Sequence, residues 1–358
     1  MSFYFLKERD ALEHSKKNAG SKARNDVEAI ATALGYAPLD VELPYKPSSS
    51  LAASIRDNVR IYAFFKEKLS VLQKGDSLLV QFPPRSHSVL FPRLYQKLRR
   101  KGVHVTFLIH DLERMRYIHL TDVSFKKRVR ILLEESLLLK QADTIICHNE
   151  KMKQFLVGQG IASAKLVPLG IFDYLTDAVP DPMPVDRPED QVGNRVIIAG
   201  NLSPEKCVYL TQLQEVPDVQ FQLYGVGFED RGQENVDYKG SFLPEELVSA
   251  LEGDFGLVWD GTSVDTCTGI FGNYLRLNDP HKLSLYLTAG LPVIVWSEAA
   301  VADFVKEHNV GLAVASLKDL PGALKQLSPA EYHTMAANAS ALSNKLRDGH
   351  YLKTALGV

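Results

Sequence analysis

The chain has 358 residues, 45% apolar and 23% charged, the make-up of a soluble globular protein with more chain than one hydrophobic core usually organises, so two domains are expected. No run approaches the ~18 apolar residues that span a bilayer, the N-terminal MSFYFLKERD is too briefly apolar for a signal peptide, and Cys147, Cys207 and Cys267 are scattered without metal-ligand spacing. A cytoplasmic protein is expected, with a net charge of −2 that conceals a split: residues 1–175 hold 28 basic and 18 acidic groups, the remainder 13 and 25.

In chain order, continuous apolar or β-branched runs at Phe3–Leu6, Ser77–Phe82, His104–Ile109 and Thr144–Cys147 predict strands buried on both faces of a parallel sheet. Helical patterns fall between them at Lys22–Leu34, Leu51–Gln73, Val89–Lys101, Phe125–Lys140 and Glu150–Gln159. A Pro- and Asp-rich stretch over 176–194 then lacks any period and predicts a linker. Beyond it, strands are predicted at Arg195–Ala199, Val219–Tyr224, Phe255–Trp259 and Leu291–Trp296, with helices at Leu243–Leu251, His281–Ala289 and Ala299–His308. The expected architecture is α/β: Rossmann-like doubly wound domains at 1–175 and 195–340 facing a central cleft, with a helix over 341–358 crossing back to the first domain. No 20–50-residue repeat is present.

Polar residues gather at the predicted strand ends, where such folds bind ligands. Gly20 and Ser21, in KKNAGSKARNDVE, precede a helix and suit either an anion-binding turn or a plain helix cap. His110 and Asp111 follow the strand FLI directly, where a general base or a capping turn would both fit. In the second half, strands run into Asn201-Leu202, Tyr224-Gly225 and Asp260-Gly261; three Gly-bearing tips along one sheet edge suggest a nucleotide-shaped ligand. In NDPHKLSLYLTAGLPVIVW, Lys282 and the free amides of a helix start favour a diphosphate, with His281 beside them and Asn278 able to cap or reach a sugar. A cation there costs about 0.3–1 kcal/mol unless an anion answers it. No Asp-x-Asp, His-Glu-x-x-His or Cys-x-x-Cys motif points to a metal. The basic runs RLYQKLRRKGVH and SFKKRVR read as solvated helix faces or as attraction for anionic lipid, a phosphorylated acceptor or an acidic partner. Aromatic residues do not interleave with them, which argues against nucleic acid.

The order HDLERMR, ADTIICHNEKM, AGNL, YGVG and NDPHKLSLYLTAGLPVI resembles glycosyltransferases of the GT-B fold. More narrowly, CTGIFGNYLRLNDPHKLSLYL is similar to bacterial β-1,6-galactofuranosyltransferases and to the glucosyltransferases that extend N-acetylglucosamine on serine-rich repeat adhesins. The resemblance implies a UDP-sugar donor on the second domain, contacted by Asn201, Tyr224, Asn278 and Lys282, with Gly20 and Ser21 near its phosphates or sugar; Leu202, Gly225, Asp260 and His281 join them as donor-site candidates from the strand tips and helix start above. It implies an acceptor glycan or glycoprotein, N-acetylglucosamine-terminated, beside His110 and Asp111. Metal-free inverting hexosyl transfer is expected, with Asp111 as first candidate base and His110 second, in a homo-oligomer, a tetramer by the resemblance, that makes at most peripheral membrane contact. One departure stands out: many GT-B enzymes grip the ribose with a Glu where this chain has Leu285. A nucleotide-sugar epimerase and a non-catalytic partner subunit are the competing expectations.

Overall fold

The computed structural model describes residues 1–9, 21–44, 51–114, 131–178 and 192–358. Gly20, most of the predicted linker and the first part of the predicted helix Phe125–Lys140 lie outside them. The chain forms two compact units, 1–16 with 27–169 and 17–26 with 170–358.

The first unit is built on six parallel strands: β1 (Phe3–Glu8), β2 (Ala37–Val41), β3 (Ser77–Phe82), β4 (His104–Ile109), β5 (Thr144–Cys147) and β6 (Leu166–Pro168), in the order β2-β1-β3-β4-β5-β6. Helices α1 (Lys22–Ala33), α2 (Leu51–Lys68), α3 (Phe91–Lys101) and α4 (Glu150–Gly158) alternate with them. From Leu132 to Leu137 the predicted helix is wound as a π-helix. The order reverses between β1 and β3, so the loops after those two strands diverge and leave a crevice at their C-terminal ends. Asn149 caps α4 by accepting from the Met152 N–H at 2.9 Å.

The second unit holds β7 (Arg195–Asn201), β8 (Gln220–Val226), β9 (Val236–Gly240), β10 (Phe255–Val258), β11 (Val293–Trp296) and β12 (Gly311–Val314), again all parallel. Their order is β9-β8-β7-β10-β11-β12, the dinucleotide-fold arrangement, with its switch point between β7 and β10. Helices α5 (Pro244–Ala250), α6 (Gly269–Tyr274), α7 (His281–Thr288), α8 (Val301–Glu307), α9 (Leu320–Gln326), α10 (Pro329–Asp348) and α11 (His350–Ala355) complete it. Residues 341–348 are thus the end of α10, and both α10 and α11 group with this unit. Among the described residues no helix is long and apolar enough to cross a membrane.

Helix α7 is buried from Leu283 through Thr288, which explains why its sequence is apolar all round rather than striped. It begins at His281, as predicted, with Pro280 in the extended backbone of an N-cap (ψ 134°). Tyr286 locks it to the sheet: the Ala199 N–H donates to the Tyr286 hydroxyl at 2.7 Å. The ring lies against β10 at Gly256, where a Cβ would fall 2.0 Å from Tyr286 Cγ. Gly256→Ala is therefore expected to destabilise the protein by about 1–3 kcal/mol through overpacking. A thermal melt reads this directly, and an unchanged midpoint would show that the ring has room to retreat.

Candidate active site

At the second unit's switch point, β7 ends at Asn201, whose Oδ1 accepts from the Ser203 N–H at 2.9 Å. This tight turn sends Leu202 into the core and brings Cys207 back to bridge with Gly261, just past β10. Lys282, in the first turn of α7, donates from Nζ to the Trp259 carbonyl and to Asp260 Oδ1, both at 2.9 Å. Both side chains are nearly buried, 13% and 8% exposed. Burial works against the Lys282 charge, but the Asp260 carboxylate, joined by Cys207 and Tyr286, outweighs it and lifts the pKa above the usual lysine range. The anion that answers this cation is thus internal, which corrects the expectation that only a bound phosphate would. Burial pushes the neighbouring Cys207 thiol up to about 11, so it stays protonated.

His281 carries no positive charge into the site. Its ring stacks on Tyr174 with centroids 5.0 Å apart, and Nε2 lies 3.3 Å from the Asp173 carbonyl. Burial, with the Lys22 charge close by, pushes its pKa down to about 4. The expected basic pair is one lysine with its counter-ion and one neutral imidazole.

Two of the three glycine-bearing tips prove to be demands of the protein backbone. A Cβ at Gly225 (φ 153°) would sit 1.8 Å from the Gly200 carbonyl oxygen, and one at Gly261 (φ 122°) 2.4 Å from that of Thr268. Tyr224 is buried, and its hydroxyl accepts from the Glu252 N–H at 3.1 Å. Gly225 therefore serves the close β7–β8 approach, and the Tyr224 hydroxyl ties β8 to the segment before β10. Leu285 is core as well, 5% exposed. What stays open is the start of α7, which has no side-chain cap, and Asn278 Oδ1, a buried acceptor without a hydrogen-bond partner. The geometry gathers Asn201, Leu202, Asp260 and Lys282, with His281 opening α7 and Asn278 just before it.

Residues 17–26 bring a further group that the sequence did not disclose. Ser21 accepts the Asn25 N–H through its backbone carbonyl at 2.9 Å. Next to it, Lys22 pairs with Asp26, donates to the Leu175 carbonyl at 2.6 Å and lies 4.5 Å above the Tyr174 ring. Asp173 accepts from the Tyr351 and Leu352 N–H groups at 3.0 and 2.8 Å, capping α11. Burial still raises its pKa from 3.8 to about 7.

These shifts have opposite signs in stability. Asp173, raised, contributes stability below pH 3.8 that is lost as pH rises through about 7; His281, lowered from 6.5, contributes above 6.5 and loses it as pH falls through about 4. Asp173→Asn removes the first, so between pH 4 and 8 the stability difference should move in the variant's favour, by up to about 4 kcal/mol. Thermal melts across that range check it; a difference independent of pH would refute it.

In the first unit, His110 ends a hydrogen-bonded line. Its Nε2 lies 2.7 Å from Gln81 Oε1, Gln81 Nε2 donates to Glu28 Oε1 at 3.4 Å, and Glu28 pairs with Lys7 at 3.1 Å. The Gln81 amide, oriented by Glu28, fixes the proton of His110 on Nε2. Glu8, at the tip of β1, accepts from the Ser86 N–H at 2.8 Å, tying the ends of β1 and β3 together at the switch point. Asp111 follows His110 in the loop, partly exposed. Lys7, Glu28 and Gln81 were missed because each is unremarkable in its own strand or helix and meets the others only through the sheet. Behind the loop, a cavity of about 20 Å³ lined by Pro83, Phe91, Glu113 and Glu135 has room for a water and none for a sugar.

Two family models match, the N-terminal domain of the glucosyltransferase 3-like family over residues 9–171 and its C-terminal domain over 196–357. A β-1,6-galactofuranosyltransferase of Escherichia coli (strain K12) is 33% identical, covering 99% of this chain and 97% of its own. Glucosyltransferase 3 of Streptococcus gordonii is 25% identical over 93% and 92% of the two chains. Among solved structures, sucrose-phosphate synthase from Thermosynechococcus elongatus shares the fold, with a TM-score of 0.61 at 15% identity over 99% and 97%. With both domain models matched and a relative of this identity along its length, the chain belongs to the glucosyltransferase 3-like family and is a glycosyltransferase of the GT-B fold.

Proposed function

We propose that the protein transfers a hexosyl group, glucosyl, galactosyl or galactofuranosyl, from a UDP-sugar to a sugar hydroxyl of a surface glycan or glycoprotein, with inversion and without a metal. The observation that carries this is the second unit's switch point, where Lys282 and the uncapped start of α7 adjoin the ends of β7 and β10. A helix start with a cation beside it and an unpaired acceptor in Asn278 suits a diphosphate with its ribose or sugar. The names of the two relatives above support hexosyl transfer and, from the first, a sugar acceptor.

In this reading the acceptor oxygen attacks the anomeric carbon and the bond to the UDP oxygen breaks. UDP leaves with the electron pair, and the acceptor proton passes to a base at the tip of β4. Asp111 is one candidate; the Gln81 hydrogen bond, which orients the imidazole, favours His110 as the other. Developing charge on UDP is met by the α7 amides and Lys282, which Asp260 holds in place. The work would be done in the cytoplasm by a homo-oligomer. The test is a screen of UDP-sugars for transfer, with a chelator present, with and without an N-acetylglucosamine-terminated acceptor. Transfer of one hexose to that acceptor is expected. Interconversion of UDP-N-acetylglucosamine without acceptor, or UDP binding without turnover, would overturn the reading.

A further inference from the structure

We propose that the outer face of α2 and α3, in the first unit, is a docking surface for an anionic phospholipid membrane. Three aliphatic side chains stand in solvent there: Ile55 at 77% exposure, Val59 at 52% and Val89 at 44%. Ile55 and Val59 are one turn apart on α2. Val89 joins them because its N–H donates to Asn58 Oδ1 at 2.8 Å, while Ser88 Oγ donates to the Asn58 carbonyl at 3.0 Å. The two helices form one surface: the Phe65 and Phe91 rings meet at 4.8 Å beneath it, and Lys97 Nζ donates to the Tyr62 hydroxyl at 3.0 Å on top.

The exposed charges on these two helices are predominantly positive. Helix α3, FPRLYQKLRRK, contains no acidic residue, and Arg93, Lys97 and Arg100 are exposed on it. Arg56 and Lys66 are exposed on α2, where Asp57 is buried and Glu67 is the one exposed acid among the described residues. Five cations framing three aliphatic side chains match a bilayer surface, with phosphates outside and acyl chains just beneath. A second copy of the chain fits poorly, because a two-fold contact would press the same cations against one another. Nucleic acid would leave the aliphatics without a partner. Ordinary solvated helices have no need of Ile and Val at the crest of the outward face.

The full chain is to be sedimented with vesicles of phosphatidylglycerol and phosphatidylcholine, and with vesicles of phosphatidylcholine alone, at low salt and at about 1 M, where the Debye length is ~3 Å. Binding is expected to the anionic vesicles at low salt, and to be absent in the other three conditions. Each cation at an anionic surface adds on the order of a fivefold gain in partition, so Arg93→Glu with Lys97→Glu should weaken binding by at least about tenfold. Ile55→Ser with Val59→Ser, which leaves the charge unchanged, should weaken it too; circular dichroism confirms that both variants fold. No binding by the wild type, or equal binding by both variants, would overturn the proposal. So would a fall in molecular mass by light scattering in the serine variant with no vesicle binding in the wild type, which would mark the face as a subunit contact.

Discussion

Lys282→Ala is expected to lower stability by about 3–5 kcal/mol, because it strands Asp260 as an unpaired carboxylate in a buried site. The single variant alone is ambiguous, since it should lose UDP affinity whether Lys282 touches phosphate or merely holds the pocket together. Replacing both partners, as in Lys282→Met with Asp260→Leu, resolves it. The double variant takes two charges out of the core and is expected to recover most of the lost stability. If Lys282 also meets the diphosphate, UDP affinity stays low in the stable double variant. Affinity restored along with the melting midpoint would make the pair structural and leave the α7 amides as the phosphate site. A single variant with wild-type stability would contradict the buried pairing itself.

The base is the second large effect. Removing it should lower kcat by about 10²–10⁴, and the pH profile tells which residue it is. If the imidazole takes the proton, His110→Gln abolishes the acidic limb of the kcat profile and Asp111→Asn leaves it. If the carboxylate does, the pattern is reversed. Gln81→Leu removes the group that fixes the His110 tautomer, so it should lower kcat without raising KM only in the first case. Neither substitution costing tenfold would place the base elsewhere in the chain.

The interior of the fold was legible, and its margins were not. All eight predicted strands exist, and all but β1 are buried over most of their length, because a strand covered on both faces must be an apolar run. The four that went unpredicted, β2, β6, β9 and β12, are the outer strands of the two sheets. An outer strand is half solvated, so VDYKG and APLDV read as polar loop, and Pro38 and Pro168 are tolerated where one side needs no ladder. Helix α10 was available and overlooked: Ser328 and Glu331 form a capping box, and Gly349 ends the helix in the left-handed region. Chain position located the strand tips at Asn201 and Asp260 and the helix start at Lys282, but not the partnerships among them. Asp260 meets Lys282 across 22 residues and His110 meets Gln81 across 29, pairings that only the order of strands in a sheet decides. The glycines misled for a related reason: close approach of backbone to ligand and close approach of backbone to backbone leave the same mark in a sequence.

The division of the chain inside α1 bears on how such enzymes can be taken apart and recombined. Residues 17–26 belong to the second unit although they lie near the start of the chain, with Lys22 and Asp26 bound to Leu175. A fragment beginning at residue 170 therefore lacks a piece of its own body, and a fragment ending at 169 carries a piece of the other. A chimera that joins halves of two relatives at that boundary inherits a mismatched peptide at the far end of the gene. The transplantable module is discontinuous: the second unit travels intact only when this short N-terminal insert is moved with it.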